Sequence, residues 1–156
     1  MPEAALGPLH AFLSGIGPDS RGRRAPEVLA FSDEQLESVH DYIQWLFPLP
    51  TRSAAQPDAP VLTDSETRAI SNDAAAVDTL RRATERMLLF YGNTHWWLAW
   101  QDHNHLRITR IIRSLKLLVG TAAAQQFHRA ILSMHASAGA PINPRSLQFW
   151  SEAVRE

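Results

Sequence analysis

Apolar residues recur at three- and four-residue steps along most of this chain, while the two-residue alternation of a strand is nearly absent. Before Gly92, Val77, Leu80, Thr84, Met87, Leu88 and Tyr91 share one helical face. Further on, Ile108, Ile111, Ile112, Leu115, Leu118 and Val119 form a second stripe, with Leu106 and Leu117 on the opposite side. A helix apolar on both sides is expected at the centre of its bundle. Over 33–47 the stripe is Leu36, Val39, Ile43 and Leu46, with His40 and Phe47 at its edge. The pattern predicts an all-α, irregular helical bundle of about five to seven helices in a single domain over residues 1–156, with the segment Asn104 to Val119 near its middle.

Punctuation sets the boundaries. All ten prolines lie outside residues 61–140. Because proline lacks a backbone donor and clashes inside helices, the chain divides into an N-terminal arm (1–31) with a short helical turn near Leu6 to Leu13, a helix, a proline-rich loop (48–62) and a helical block. Ser32-Asp33-Glu34-Gln35 is a capping box opening a helix that runs to Phe47, where Pro48 stops it. Thr63-Asp64-Ser65-Glu66 is a second box; Asn72 or Asp73 opens the next helix and Gly92 closes it. Thr94 or Asn104 caps the arginine-bearing helix, Gly120 ends it, Thr121 caps a helix to about Gly139, and Asn143-Pro144 opens a last one.

Composition narrows the function classes. A net charge of −1 gives no global pull toward nucleic acid or anionic lipid. The absence of cysteine removes disulfides, thiolate nucleophiles and zinc–thiolate sites. From Met1 to Gly22 there is no basic start followed by an apolar run, and no stretch reaches the roughly 18 apolar residues of a membrane span, so a soluble, cytoplasmic protein is expected. No phosphate-cradling glycine loop, nucleophile elbow or dinucleotide fingerprint occurs, so no catalytic residue and no cofactor is assigned and a non-enzymatic chain is expected.

Candidate binding residues are aromatic and basic. On a continuous helix Trp45 stands almost opposite the apolar stripe, beside Asp41 and Ser38; either the proline loop covers it or it anchors a ligand. Trp96, Trp97 and Trp100 cannot all face one side of a helix, so core packing is expected for two and a groove or surface position for at least one. His103 and His105, with His95 upstream, form a His-x-His pair that suits a transition metal in an extended segment. A helix opening at Asn104 breaks that geometry, so His103 and Asn104 are expected as helix caps and no metal is assigned. His128 and His135 read as edge-of-core residues. Arg107, Arg110 and Arg113 make a basic strip that either pairs with Glu37, Asp41, Glu66 or Asp78 or offers a planar fork to a carboxylate or phosphate. The candidate ligand-binding set is therefore Tyr42, Trp45, Trp96, Trp97, Trp100, His103, Asn104, Arg107 and Arg110. An enzyme built around His103, His105 and the tryptophans is the alternative.

The segments His40-Asp41-Tyr42-Ile43-Gln44-Trp45-Leu46-Phe47-Pro48-Leu49, Met87-Leu88-Leu89-Phe90-Tyr91-Gly92 and Asp102 through Leu115 resemble the opioid growth factor receptor conserved domain, over a stretch that reaches about Ser133. The resemblance implies a short, single-domain member of that family, without the long C-terminal extension of its vertebrate members. Those members are named for binding the opioid pentapeptide met-enkephalin and are associated with the nucleus and growth regulation. It therefore implies a peptide or protein partner and receptor signalling; no nucleic-acid partner is expected, because sixteen acidic residues balance the arginine strip.

Overall fold

A computed structural model of the chain describes residues 6–155. The first five residues of the arm, with the start of the segment read for a secretion signal, lie outside the described residues. Among those described there are nine helices and no strand, so the all-α class holds. The count exceeds the expectation because the arm carries two short helices and the helix expected over 33–47 is broken in two. Two compact units divide between Arg82 and Ala83, inside the longest helix.

The N-terminal unit holds α1 (Pro8–Leu13), α2 (Ala25–Leu29), α3 (Asp33–Ser38), α4 (Ile43–Leu46), α5 (Asp64–Ser71) and the start of α6 (Ala74–Asn93). The Ser32 capping box forms: Gln35 N donates to Ser32 Oγ at 3.1 Å, and Ser32 N donates to Gln35 Oε1 at 2.9 Å. The helix it opens stops at Ser38 rather than Phe47. Val39 is extended (φ −89°, ψ 130°), and the Tyr42 hydroxyl donates to the Leu36 carbonyl at 2.6 Å, satisfying one of the acceptors a helix end leaves open. Asp41 sits in the break, where Arg21 and Arg23 donate to its carboxylate at 2.8 and 2.9 Å. Burial pushes that carboxyl up, but the two guanidinium bonds outweigh it and hold it below the usual range.

The break changes the helical phase, and that turns Trp45 inward. Residues 42–49 are buried without interruption. Trp45 meets Phe12 of α1 edge-on, ring centroids 5.5 Å apart. The proline loop returns to the core through Leu62 N, which donates to the Leu49 carbonyl at 3.0 Å. At α5 only half of the second box forms. Glu66 N donates to Thr63 Oγ1, but the Glu66 carboxylate reaches away to accept His10 N at 3.1 Å. It thereby satisfies an open amide in the first turn of α1. A Cβ at Gly7 would lie 2.3 Å from that carboxylate, so this approach requires glycine.

The C-terminal unit comprises the end of α6, α7 (Asn104–Leu118), α8 (Thr121–Ser137) and α9 (Pro144–Arg155). Along α6 the buried line is Ala76, Leu80, Ala83, Met87, Phe90 and Tyr91, rotated from the expected stripe because two alanines lie on the packed side. Helix α7 packs on both α8 and α9, as its central position requires. Ile108, Ile111, Ile112, Leu115 and Leu118 are buried. Its second apolar side is not: Leu106 is 72% and Leu117 43% exposed. Gly120, at φ +135°, ends α7 by donating its N–H to the Leu115 carbonyl at 2.8 Å. Asn143 caps α9 as the sequence implies, its Oδ1 accepting Ser146 N at 2.9 Å.

Candidate functional site

The segment between α6 and α7 is irregular, so its polar groups must find partners one by one. The Thr94 hydroxyl donates to the Phe90 carbonyl at 2.7 Å and the Trp97 indole N–H to the Tyr91 carbonyl at 3.0 Å, closing the end of α6. Trp97 is fully buried, its ring tilted on that of Tyr91 at 5.1 Å. Trp96 packs beside His95 and is 42% exposed; Trp100 is 64% exposed. One tryptophan of the three is therefore core and two are surface, the reverse of the expected division.

The cap of α7 also differs from the expectation. Neither His103 nor Asn104 supplies it. Asp102 Oδ2 accepts both Asn104 N and Asn104 Nδ2, at 2.9 and 2.8 Å. This orients the fully buried Asn104 so that its Oδ1 faces the Tyr91 hydroxyl at 3.3 Å and Arg107 Nη1 at 3.5 Å. Arg107 is thus an interior residue. Arg110 is half-buried, and burial pushes its guanidinium down to about 10. Asp41, Glu66 and Asp78, considered as partners for this arginine strip, pair in part elsewhere: Asp41 with Arg21 and Arg23, Glu66 with the His10 amide, and Asp78 with Arg82.

His105 joins the loop, α7 and α9. One ring nitrogen, Nε2, lies 2.8 Å from the Trp97 carbonyl, and Nδ1 lies 3.2 Å from Ser146 Oγ. A carbonyl only accepts, so Nε2 carries the proton and the Ser146 hydroxyl donates to Nδ1. Ser146 Oγ in turn accepts from Asn143 Nδ2 at 3.0 Å, and that amide also donates to the Trp100 carbonyl. The Trp150 indole donates to the His105 carbonyl at 3.0 Å and meets the imidazole edge-on at 5.7 Å. This network fixes the first turn of α9 against the start of α7.

Between those two helix starts lies a cleft of about 490 Å³, lined by Gln101, Asp102, His103, His105, Leu106, Thr109, Asn143, Arg145, Ser146 and Phe149. Leu106 and Phe149 supply apolar walls, and Arg145 lies over the Phe149 ring at 5.5 Å. Of the residues singled out from sequence as ligand-binding, only His103 lines this cleft. Tyr42 and Trp45 are buried in the N-terminal unit, and Trp97, Asn104 and Arg107 are buried in the C-terminal one, without an open face for a ligand. Leu106 was visible as an apolar position off the main stripe, and Arg145 and Phe149 stand four residues apart, on one face of the predicted last helix. Nothing in the sequence joined the two elements.

The family model for the opioid growth factor receptor (OGFr) conserved region matches residues 30–97. Over those residues the chain is similar to the conserved region of the opioid growth factor receptors. Among similar proteins, the human opioid growth factor receptor is 37% identical over 98 residues, covering 51% of this chain and 14% of the human protein. Its mouse counterpart is 39% identical over 98 residues, covering 51% of this chain and 15% of that protein. Opioid growth factor receptor-like protein 1 of rat is 35% identical over 99 residues, covering 53% and 21%. The chain therefore spans about a fifth or less of the length of these relatives. No solved structure matches. The family match ends at Trp97, short of the Ser133 limit read from sequence, and the cleft residues 101–149 lie beyond it. Among the described residues no helix is long and apolar enough to cross a membrane, and no cluster of three or more metal-ligating side chains of His, Cys, Asp or Glu type occurs.

Proposed function

We propose that this OGFr-region protein is a non-enzymatic module that binds a peptide or protein segment in the cleft between the starts of α7 and α9. The carrying observation is the cleft itself, whose walls Leu106 and Phe149 remain 72% and 36% exposed beside a guanidinium. A concave hollow that sets two apolar walls among polar side chains can bury an apolar group and fix its orientation by hydrogen bonds. The relatives' name, opioid growth factor receptor, adds a peptide ligand by resemblance, with met-enkephalin as the reference compound.

The His105–Ser146 contact favours the alternative enzyme reading, since a hydroxyl donating to an imidazole is half of a nucleophile–base arrangement. Against it, His105 is 4% exposed with both ring nitrogens engaged, and Ser146 Oγ is tied to the cap residue Asn143. The arrangement suits structural fixation. A fluorophosphonate reagent is expected to leave Ser146 unmodified, whereas stoichiometric labelling there favours the enzyme.

The binding test is a titration of tryptophan emission with short peptides, met-enkephalin among them, against the parent and a Leu106→Ala/Phe149→Ala variant. Both positions are exposed, so the variant should keep its fold. Binding by the parent and its loss in the variant support the proposal. Unchanged emission at millimolar peptide, or equal binding by both proteins, refutes it.

A further inference from the structure

Charge in the cleft is unevenly committed. Asp102 is its one acidic residue, and it has partners on both oxygens: Oδ2 accepts two bonds from the buried Asn104, and Oδ1 lies 3.8 Å from the ring of His103, which also lines the cleft. Arg145 also lines the cleft, with its guanidinium carbon 5.5 Å from the centre of the Phe149 ring, an aromatic face that accepts none of the hydrogen bonds the five guanidinium N–H groups can donate. The lining therefore offers an incoming group a cation set directly against apolar carbon. That combination complements an apolar side chain with an anion one residue's width away.

Resting on the reading of the cleft as a peptide site, we infer that its ligand is the carboxyl terminus of a chain ending in an aliphatic residue, the side chain against Leu106 and Phe149 and the terminal carboxylate on Arg145. Guanidinium and carboxylate match as two parallel hydrogen bonds, which an amide cannot reproduce. A free chain end supplies both the charge and the apolar residue on one unit. An internal acidic side chain separates them, and an amino terminus brings the wrong sign to Arg145.

The test uses N-acetyl-Ala-Ala-Ala-Leu as the free acid and as the C-terminal amide, titrated calorimetrically against the whole chain and against Arg145→Gln. Arg145 is exposed on α9, so the substitution removes the charge with little demand on packing. The free acid should bind the parent about tenfold or more tightly than the amide, should lose that advantage in Arg145→Gln, and should weaken as salt rises. The amide should bind both proteins alike. Equal binding of acid and amide, or an acid preference that survives in Arg145→Gln, overturns the carboxylate assignment while the cleft stands as a peptide site. If other short peptides bind but neither of these does, this assignment alone fails; if no peptide binds at all, the underlying reading fails with it.

Discussion

Asn143→Ala should disconnect the two sides of the cleft, because one side chain performs both the capping and the tethering. Its Oδ1 accepts Ser146 N as the cap of α9, and its Nδ2 donates to the Trp100 carbonyl and to Ser146 Oγ. Loss of an asparagine cap to alanine costs about 1 kcal/mol, within a range of roughly 0.5 to 2. Removing the side-chain donor from the part-buried Trp100 carbonyl adds about 1 kcal/mol. The expected loss is therefore about 2 kcal/mol, within a range of roughly 1.5 to 3. Asn143→Ser separates the contributions: serine retains a cap acceptor but has no amide to reach Trp100, so it should lose only about 1 kcal/mol. Urea unfolding followed by tryptophan emission is the suitable assay, since Trp96, Trp97, Trp100 and Trp150 all belong to the C-terminal unit and only Trp45 to the other. A loss under about 0.5 kcal/mol for the alanine variant, or equal losses for alanine and serine, would refute the reasoning.

Other consequences are equally open to measurement. Ile111→Ala, at a fully buried position, should cost about 2 to 5 kcal/mol in urea unfolding, whereas Leu106→Ala on the exposed side of the same helix should cost under about 0.5. Tyr42→Phe should cost about 1 to 3 kcal/mol by removing the hydroxyl that donates to the Leu36 carbonyl at the end of α3; no change in stability would show that this bond does not hold the break. His128, whose Nε2 is buried without a hydrogen-bond partner, has its pKa lowered by burial, so the unfolded chain binds more protons below its ordinary range. That contribution is complete above about pH 6.5 and declines as pH falls toward the folded value; His128→Leu should therefore flatten the stability profile between about pH 6.5 and 5, and an unchanged slope would contradict this.

What the sequence made legible were features written in local chemistry. The box at Ser32, the cap at Asn143 and the stop at Gly120 each need only a few neighbouring residues, and each formed. The break after Ser38 was not legible. Nothing between Val39 and Tyr42 forbids a helix; the stop depends on a hydroxyl reaching back to Leu36 and on arginines from about twenty residues upstream that hold Asp41. That single break moved Trp45 from the side opposite the apolar stripe into the core, because a helical face is only defined while the helix continues. The α6 stripe was misphased for a different reason: Ala76 and Ala83 carry too little apolar weight to register, yet both are fully buried.

The cleft illustrates the harder limit. Its polar members are individually ordinary, an N-cap asparagine, a helical serine and a histidine near a helix start, and each has a sufficient local explanation. Their common role appears only when α9 is brought onto α7, over some forty residues of separation, as between His105 and Ser146. The order of dependence is nevertheless readable. Trp97, the last residue of the family match, gives its indole N–H to the end of α6 and its carbonyl to His105, while His105 gives its other nitrogen to Ser146. The family match therefore ends at the residue whose carbonyl sets the imidazole tautomer, and that tautomer directs the Ser146 hydroxyl, a lining group of the cleft. Changes at the walls, Leu106, Arg145 and Phe149, leave this chain of bonds in place, because none of the three contributes to it. The bonds that join Trp97, His105 and Ser146 are thus distinct from the exposed side chains that wall the cleft.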